Sequence, residues 1–365
     1  MTPDLPLLFF WTCYLLWTVK QCNALSEWEE DPIARVYRPS PILLSQWILG
    51  GIILGTGILS KYTMGLAIVC SLLVLATQYR WRAWSRGFIL HLVLAAIVAS
   101  PILIHNLQNG FQPLRFQWEH ATDPAHFSFS RAAEFIGVQT LMTGLLPFLM
   151  LPWLLIRFRK VVAHPTTRTL FFFFALPLLF FLYRTLRTYT EANWAFISYV
   201  AFWPLAQKIT ERTSFDREIR WLIAISFSVP IAVTCLLAIH LFSPLSIVRP
   251  QKDRIWRLTE QFALSKTVAS DVNLLQLPVY CHNYQWTAYM RYQKVAASQL
   301  PATRPSHFTS PAESPCDHSS ILVFTDGSAP EEPLRCFTGK TVIKDYSLSV
   351  RGETVGKYQL IQLVK

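Results

Sequence analysis

Eight stretches of the chain carry no Asp, Glu, Lys or Arg: residues 5–19, 42–60, 62–77, 88–104, 135–156, 169–183, 192–207 and 221–242. Together they cover 142 of the 365 residues, so all 55 charged side chains fall in the other 223. There they reach a density of about 25%, that of ordinary soluble protein. A helix needs about 20 apolar residues (range about 17–25) to cross a bilayer core. Runs 42–60, 88–104, 135–156 and 221–242 meet that directly. The other four are shorter, but Tyr, Trp, Lys or Arg flank them, with stems long enough to reach the interface. Charge sorted in this way excludes a secreted, cytosolic or nucleic-acid-binding globule. It predicts an α-helical polytopic membrane protein with about eight transmembrane helices.

The formal net charge of +11 follows from the same reading, because helical membrane proteins hold Lys and Arg on their cytoplasmic side. Nucleic acid is not expected as a partner. Alternate loops differ sharply: fourteen Lys and Arg, from Lys20 to Arg220, lie on one side, against Lys61, Arg115, Arg131, Arg184 and Arg187 on the other. The first set belongs in the cytoplasm, which puts both termini outside. The N-terminus lacks the basic start of a signal peptide. The bundle is expected over residues 1–242. Beyond it, 243–365 alternate polar turn clusters with strand-length segments (Leu277–Tyr280, Ile321–Thr325, Tyr358–Val364), and Arg254 to Leu264 has helical spacing. A small extracytoplasmic α/β domain is expected there. No cysteine pair has metal-site spacing. Among Cys281, Cys316 and Cys336 one disulfide can form in an oxidising compartment.

On this topology the polar residues hardest to explain structurally all fall on the outer face. They are Asp4, Lys61, Tyr62, His105, Asn106, Gln108, Asn109, Gln117, Glu119, His120, Arg184, Arg187, Tyr189, Glu191, Asn193 and Trp194. Each has a plain alternative. Asp4 suits a helix start, Lys61 an interfacial anchor, His105–Asn106 a helix end, Arg184 and Arg187 lipid headgroups, and Trp194 an aromatic belt. Glu191 and Asn193 are harder to dismiss, since a carboxylate and an amide entering an apolar span are costly unless partnered. Cations beside His, Asn and Glu at a membrane surface suggest a site for a lipid-borne phosphate.

Several segments in order resemble a known family. Thr2–Pro–Asp4–Leu–Pro–Leu resembles an acidic entry to a membrane span. Gly50–Gly–Ile–Ile–Leu–Gly55, ending in Leu59–Ser–Lys–Tyr–Thr63, resembles a "G-x-x-x-G … L-x-K-Y-T" helix. Pro101–Ile–Leu–Ile–His–Asn106, with Asn109–Gly–Phe111 and Phe116–Gln117, resembles a "P-x-x-x-W-N … N-G-F … F-Q" loop. Glu191–Ala–Asn–Trp194 with Tyr199 resembles "E-x-N-W-x-x-x-x-Y", and Tyr280–Cys–His–Asn–Tyr–Gln285 resembles the family's periplasmic domain. The set is similar to bacterial GT-C glycosyltransferases of the dolichyl-phosphate-mannose–protein mannosyltransferase (family 39-like) group.

The resemblance implies a multi-pass protein of the bacterial inner membrane with a periplasmic active face. It would move a sugar from a polyprenyl-phosphate donor, with inversion, to a hydroxyl of a glycan, lipid or protein. Asp4 and Glu191 would be catalytic, with Asp4 also a ligand for a divalent metal ion (Mg or Mn). Lys61, Arg184 and Arg187 would bind the donor phosphate. Tyr62, His105, Asn106, Gln117, Asn193 and Trp194 would line the substrate pocket. The family's opening span and first acidic outer loop have no counterpart before Met1, so an N-truncated, inactive remnant or a lipid-sugar-binding partner is the main alternative. A flippase or transporter is the lesser one, disfavoured by spans that are charge-free at mid-depth and lack half-to-half similarity.

Overall fold

Each of the eight charge-free runs is largely helical. The computed structural model describes residues 4–31, 42–77, 81–108, 110–111, 114–115, 127–188, 190–211, 216–300, 314–328 and 332–365. The chain divides into two units, Met1–Thr234 and Cys235–Lys365. The first contains α1 (Asp4–Glu30), α2 (Leu44–Ser60), α3 (Leu66–Ala76), α4 (Trp81–Val98), α5 (Ser100–Gln108), α6 (Phe129–Thr143) and α7 (Leu146–Ile156). It continues through α8 (Phe158–Val162), α9 (Pro165–Arg187) and α10 (Phe196–Thr210) into α11 (Asp216–Phe242), which runs on into the second unit.

Among the described residues, α9 and the segment Trp221–Phe242 of α11 are long and apolar enough to cross a bilayer. The 23 residues of α9 rise about 35 Å, slightly more than the hydrocarbon thickness. Two bent pairs, Gly87–Val98 with α5 and α6 with α7, raise the number to at most four by this criterion, and α2 and Tyr62–Ala76 are shorter apolar helices. Eight spans were expected; by this criterion two of the runs are bent, and those at 42–60, 62–77 and 192–207 fold as helices of fewer than 18 residues. The run at 135–156 turns through 110° between α6 and α7. Gly144 there has φ +87°, and a Cβ on it would lie 2.4 Å from the Ser226 carbonyl oxygen of α11. The run at 88–104 bends by 48° just ahead of Pro101, which cannot continue a helix without losing a backbone hydrogen bond.

Helix α9 sits deepest in this unit. Thr167 through Ala175 are buried without interruption, and Phe173, Phe174 and Phe181 pack in a core with Trp11, Tyr14 and Phe202. Small residues let α2 lie close to α4, as expected where helices pack by van der Waals contact. A Cβ on Gly51 would come within 2.8 Å of the His91 carbonyl oxygen.

The second unit holds α12 (Arg254–Leu275), β1 (Val279–Cys281), α13 (Tyr284–Tyr292), β2 (Ala297–Gln299), β3 (Ser320–Thr325), β4 (Gly339–Val350) and β5 (Glu353–Val364). Asp253 caps α12 by accepting from the Trp256 N–H. The strand order is β2-β1-β3-β5-β4. β1 runs parallel to β2 and β3, and β5 runs antiparallel to β3 and β4. Alternation along β3 serves both faces of the sheet. Leu322 and Phe324 pack with Val268, Val272 and Trp286, while Ile321 and Val323 join Tyr280, Leu300 and Leu363. Cys316 and Cys336 form a disulfide with Cα atoms 5.8 Å apart, and Cys281 stays a buried thiol. Burial pushes that thiol up to about 12.

Candidate functional site

Four chain segments meet at one end of the first unit. Asp4 opens α1, Lys61 directly follows α2, Arg184 lies in the last turn of α9, and Asn193–Trp194 form the 3₁₀ turn Ala192–Ala195 that leads into α10. The carboxylate of Asp4 joins two of these partners. Its Oδ1 lies 2.5 Å from Lys61 Nζ, and its Oδ2 accepts from Asn193 Nδ2 at 2.7 Å. Both ends of the ion pair are under a fifth exposed, Lys61 19% and Asp4 18%, so water screens it little. The Trp194 ring then collects two cations, with Lys61 Nζ and Arg184 Cζ each 5.4 Å from its centroid.

The turn carrying Asn193 and Trp194 is held from behind. Gln139, fully buried in α6, donates from Nε2 to the Ala192 carbonyl at 2.6 Å and accepts at Oε1 from the Tyr199 hydroxyl at 3.0 Å. Gln139 was not among the residues singled out from the sequence. Its signal was present: an amide inside a charge-free run needs a partner. Tyr199 was visible only as the last letter of the Glu191–Trp194 pattern.

The remaining expected residues divide. Asn106 is buried and ties together the end of α5: its Nδ2 donates to the Tyr62 hydroxyl at 3.2 Å and the Ile102 carbonyl, and its Oδ1 accepts from the Leu114 N–H. Tyr62, next to Lys61, is thereby fixed beside the cluster. This is a helix-end role for Asn106, as its plain alternative supposed. Glu191 is exposed at the start of the turn, where its carbonyl accepts from the Trp194 N–H. Arg187 is exposed and stacks on Tyr183 at 5.2 Å. His105 and Gln108 are exposed. Asn109, Gln117, Glu119, His120 and Tyr189 lie outside the described residues.

A divalent ion does not fit this donor set. Both Asp4 oxygens already face donors, and no three His, Cys, Asp or Glu side chains converge among the described residues. What the cluster offers is positive charge on an aromatic plate at the end of an apolar bundle. Lys61 has three N–H donors, and its contact with Asp4 Oδ1 uses one of them, while Arg184 adds a second positive charge over the same ring.

No family model matches the sequence, and no curated protein matches it either. The structure is similar to the crystal structure of ArnT from Cupriavidus metallidurans bound to undecaprenyl phosphate, with a TM-score of 0.52. The two share a fold. The likeness covers 99% of this chain and 74% of ArnT at 14% identity. With its apolar helices, the chain is a polytopic membrane protein carrying a small C-terminal sheet domain.

Proposed function

We propose that the chain is a GT-C-type membrane glycosyltransferase, akin to the family 39-like group, that moves a sugar from a polyprenyl-phosphate donor to an acceptor hydroxyl with inversion. The observation that carries this reading is the convergence of Lys61 and Arg184 on Trp194, beside Asp4 and Asn193, at one end of an apolar bundle. The fold shared with a protein crystallised with undecaprenyl phosphate supports a polyprenyl phosphate as the lipid. Lys and Arg asymmetry between loops supports a periplasmic site. The Cys316–Cys336 disulfide supports an oxidising compartment for the second unit, and so a multi-pass protein of the inner membrane with periplasmic residues 243–365.

In the reaction a carboxylate takes the proton of the acceptor O–H. The oxygen attacks the anomeric carbon from the side opposite the phosphate, and the bond from that carbon to the phosphate oxygen breaks. The lipid phosphate leaves with both electrons of that bond. Lys61 and Arg184 stabilise the charge it gains. Glu191, with an exposed carboxylate, is the better base, because Asp4 is engaged at both oxygens and orients Lys61 and Asn193 instead. The acceptor hydroxyl belongs to a glycan, a lipid or a protein. That engagement of Asp4 also favours one second reading, a partner that holds the lipid-linked sugar without consuming it.

Membranes containing the chain should release lipid phosphate from a radiolabelled polyprenyl-phosphate hexose or pentose and label an endogenous acceptor. Lys61→Met, Arg184→Leu and Glu191→Gln should each abolish turnover while leaving the protein in the membrane. Unchanged turnover in all three would overturn the proposal. Retained lipid without turnover in the unsubstituted chain would favour the second reading.

A further inference from the structure

The Tyr280–Gln285 segment plays no part in the cluster just described, yet it occupies a distinctive place in the second unit. Strand β1 lies between β2 and β3 and is parallel to both. The chain leaves β1 through α13 toward β2 on one side and rejoins the sheet through β3 on the other. The connections after β1 and β3 therefore part in opposite directions. The crevice beyond the carboxyl ends of two such strands is where open α/β sheets bind ligands. His282 and Asn283 follow β1 at that end, and Asp326 and Gly327 follow β3.

The groups there are held in one arrangement. Asn283 Oδ1 caps α13 by accepting from the Trp286 N–H, which turns its Nδ2 toward His282 Nε2 at 2.8 Å. The other ring nitrogen, Nδ1, donates to the Phe324 carbonyl at 3.2 Å. Asp326 Oδ2 lies 3.5 Å from His282 Nε2, and its Oδ1 accepts from the Ser328 N–H and hydroxyl. Burial opposes the charge on Asp326, but the Ser328 hydrogen bonds and the neighbouring His282 together outweigh it and hold the carboxyl below its usual range.

A cleft of about 610 Å³ opens beside Asp326. It exists because β3 stops at Thr325, opposite Gln359, while the β4–β5 hairpin runs on through the pairs Tyr346–Tyr358 and Ser347–Lys357. The overhanging wall is tied to α12. The Tyr346 hydroxyl donates to Asp271 at 2.7 Å, and the Tyr358 hydroxyl accepts from Gln261, both partners being on α12. The polar lining is Asp326, Asp345, Ser347, Lys357 and Gln359. Gln359 Nε2 donates to Asp345 Oδ1, which leaves Asp345 Oδ2 and Gln359 Oε1 to accept. Two carboxylates against one ammonium disfavour a phosphate. Planar carboxylates and an amide side by side on one wall suit adjacent hydroxyls or an amine.

We propose that this cleft binds a neutral or amine-bearing saccharide, with Asp326, Asp345 and Gln359 accepting from its hydroxyls or amine and Lys357 donating to its ring or hydroxyl oxygens. That the saccharide is the acceptor glycan rests on the transferase reading. Binding itself does not, and it is measured without donor, so either idea can fail alone. The full chain in lipid nanodiscs would be mixed with β-1,4-linked glucosamine tetramer or maltotetraose, and saturation transfer to sugar protons recorded by NMR. The expected result is transfer to at least one of the two. Losing a charged hydrogen bond in Asp326→Asn or Asp345→Asn should weaken binding about tenfold. Lys357→Ala, at an exposed strand position, should weaken it as well, while Lys61→Met in the first unit should leave it unchanged. No transfer to either saccharide, transfer indifferent to all three cleft substitutions, or displacement by equimolar pyrophosphate would overturn the proposal.

Discussion

Asp4 and Lys61 are 57 residues apart in sequence, and their contact is the joint that fastens α1 to α2 at the site. Asp4→Asn keeps an oxygen for Asn193 but removes one charge of an ion pair that is less than a fifth exposed. A hydrogen bond to a charged group is worth about 1.5–3 kcal/mol, and this burial puts the cost at about 2–3 kcal/mol. Lys61→Met strands the carboxylate with only the Asn193 amide and should cost about 3 kcal/mol. The double variant strands neither charge, so its cost should stay near about 2–3 kcal/mol rather than reach the sum. The coupling energy is then about 2–3 kcal/mol, read from unfolding of all four proteins by SDS titration in mixed micelles. Additivity within about 0.5 kcal/mol would refute the reasoning. It would mean that Asp4 and Lys61 do not share a desolvated contact, and the site built on that contact would lose its anchor.

Gln139→Leu should leave the Ala192 carbonyl and the Tyr199 hydroxyl without their buried partner, costing about 2–3 kcal/mol and lowering turnover with Asn193 intact. Gln139→Glu, which can still accept from Tyr199, should recover part of the turnover. Gly144→Ala should destabilise the first unit by more than about 1 kcal/mol, since its φ is +87° and the new Cβ would meet the Ser226 backbone; an unchanged melting transition would contradict this. Cys336→Ser should cost the second unit about 2–4 kcal/mol by freeing the 20-residue separation closed to Cys316, seen as faster limited proteolysis. Asp271 accepts from Lys344 and Tyr346, which hold its carboxyl below the usual range. A depressed folded value contributes stability that is full above the unfolded carboxylate range, near about pH 3.9, and is lost as pH falls through the folded value. Asp271→Asn should flatten that acid limb.

Membrane character was legible because charge cannot be hidden in an apolar run, and the sorting survives any detail of packing. The breaks inside runs were not legible. Gly144 ends α6 because of Ser226, a residue 82 positions later that local sequence does not announce. In the second unit, β1, β3 and α12 stood out as apolar or periodic stretches. β4 did not, because Lys340, Lys344 and Asp345 interrupt it as an exposed edge strand. At the site, Asp4, Lys61, Arg184, Asn193 and Trp194 were each readable as polar groups at helix ends of one membrane face. That they share one ring and one carboxylate required the fold. Glu191, Arg187 and His105 had the same composition signal but ended up exposed, since residue type and end position do not fix which way a side chain turns.

The central claim, that the Lys61–Arg184–Trp194 cluster holds a lipid phosphate, is tested most directly by native mass spectrometry of the chain released from mixed micelles. These would contain undecaprenyl phosphate and an equimolar excess of phosphatidylglycerol. The account predicts retention of undecaprenyl phosphate over phosphatidylglycerol, lost in Lys61→Met and in Arg184→Leu. Equal retention of both lipids, or retention unaffected by Lys61→Met and Arg184→Leu, would contradict it.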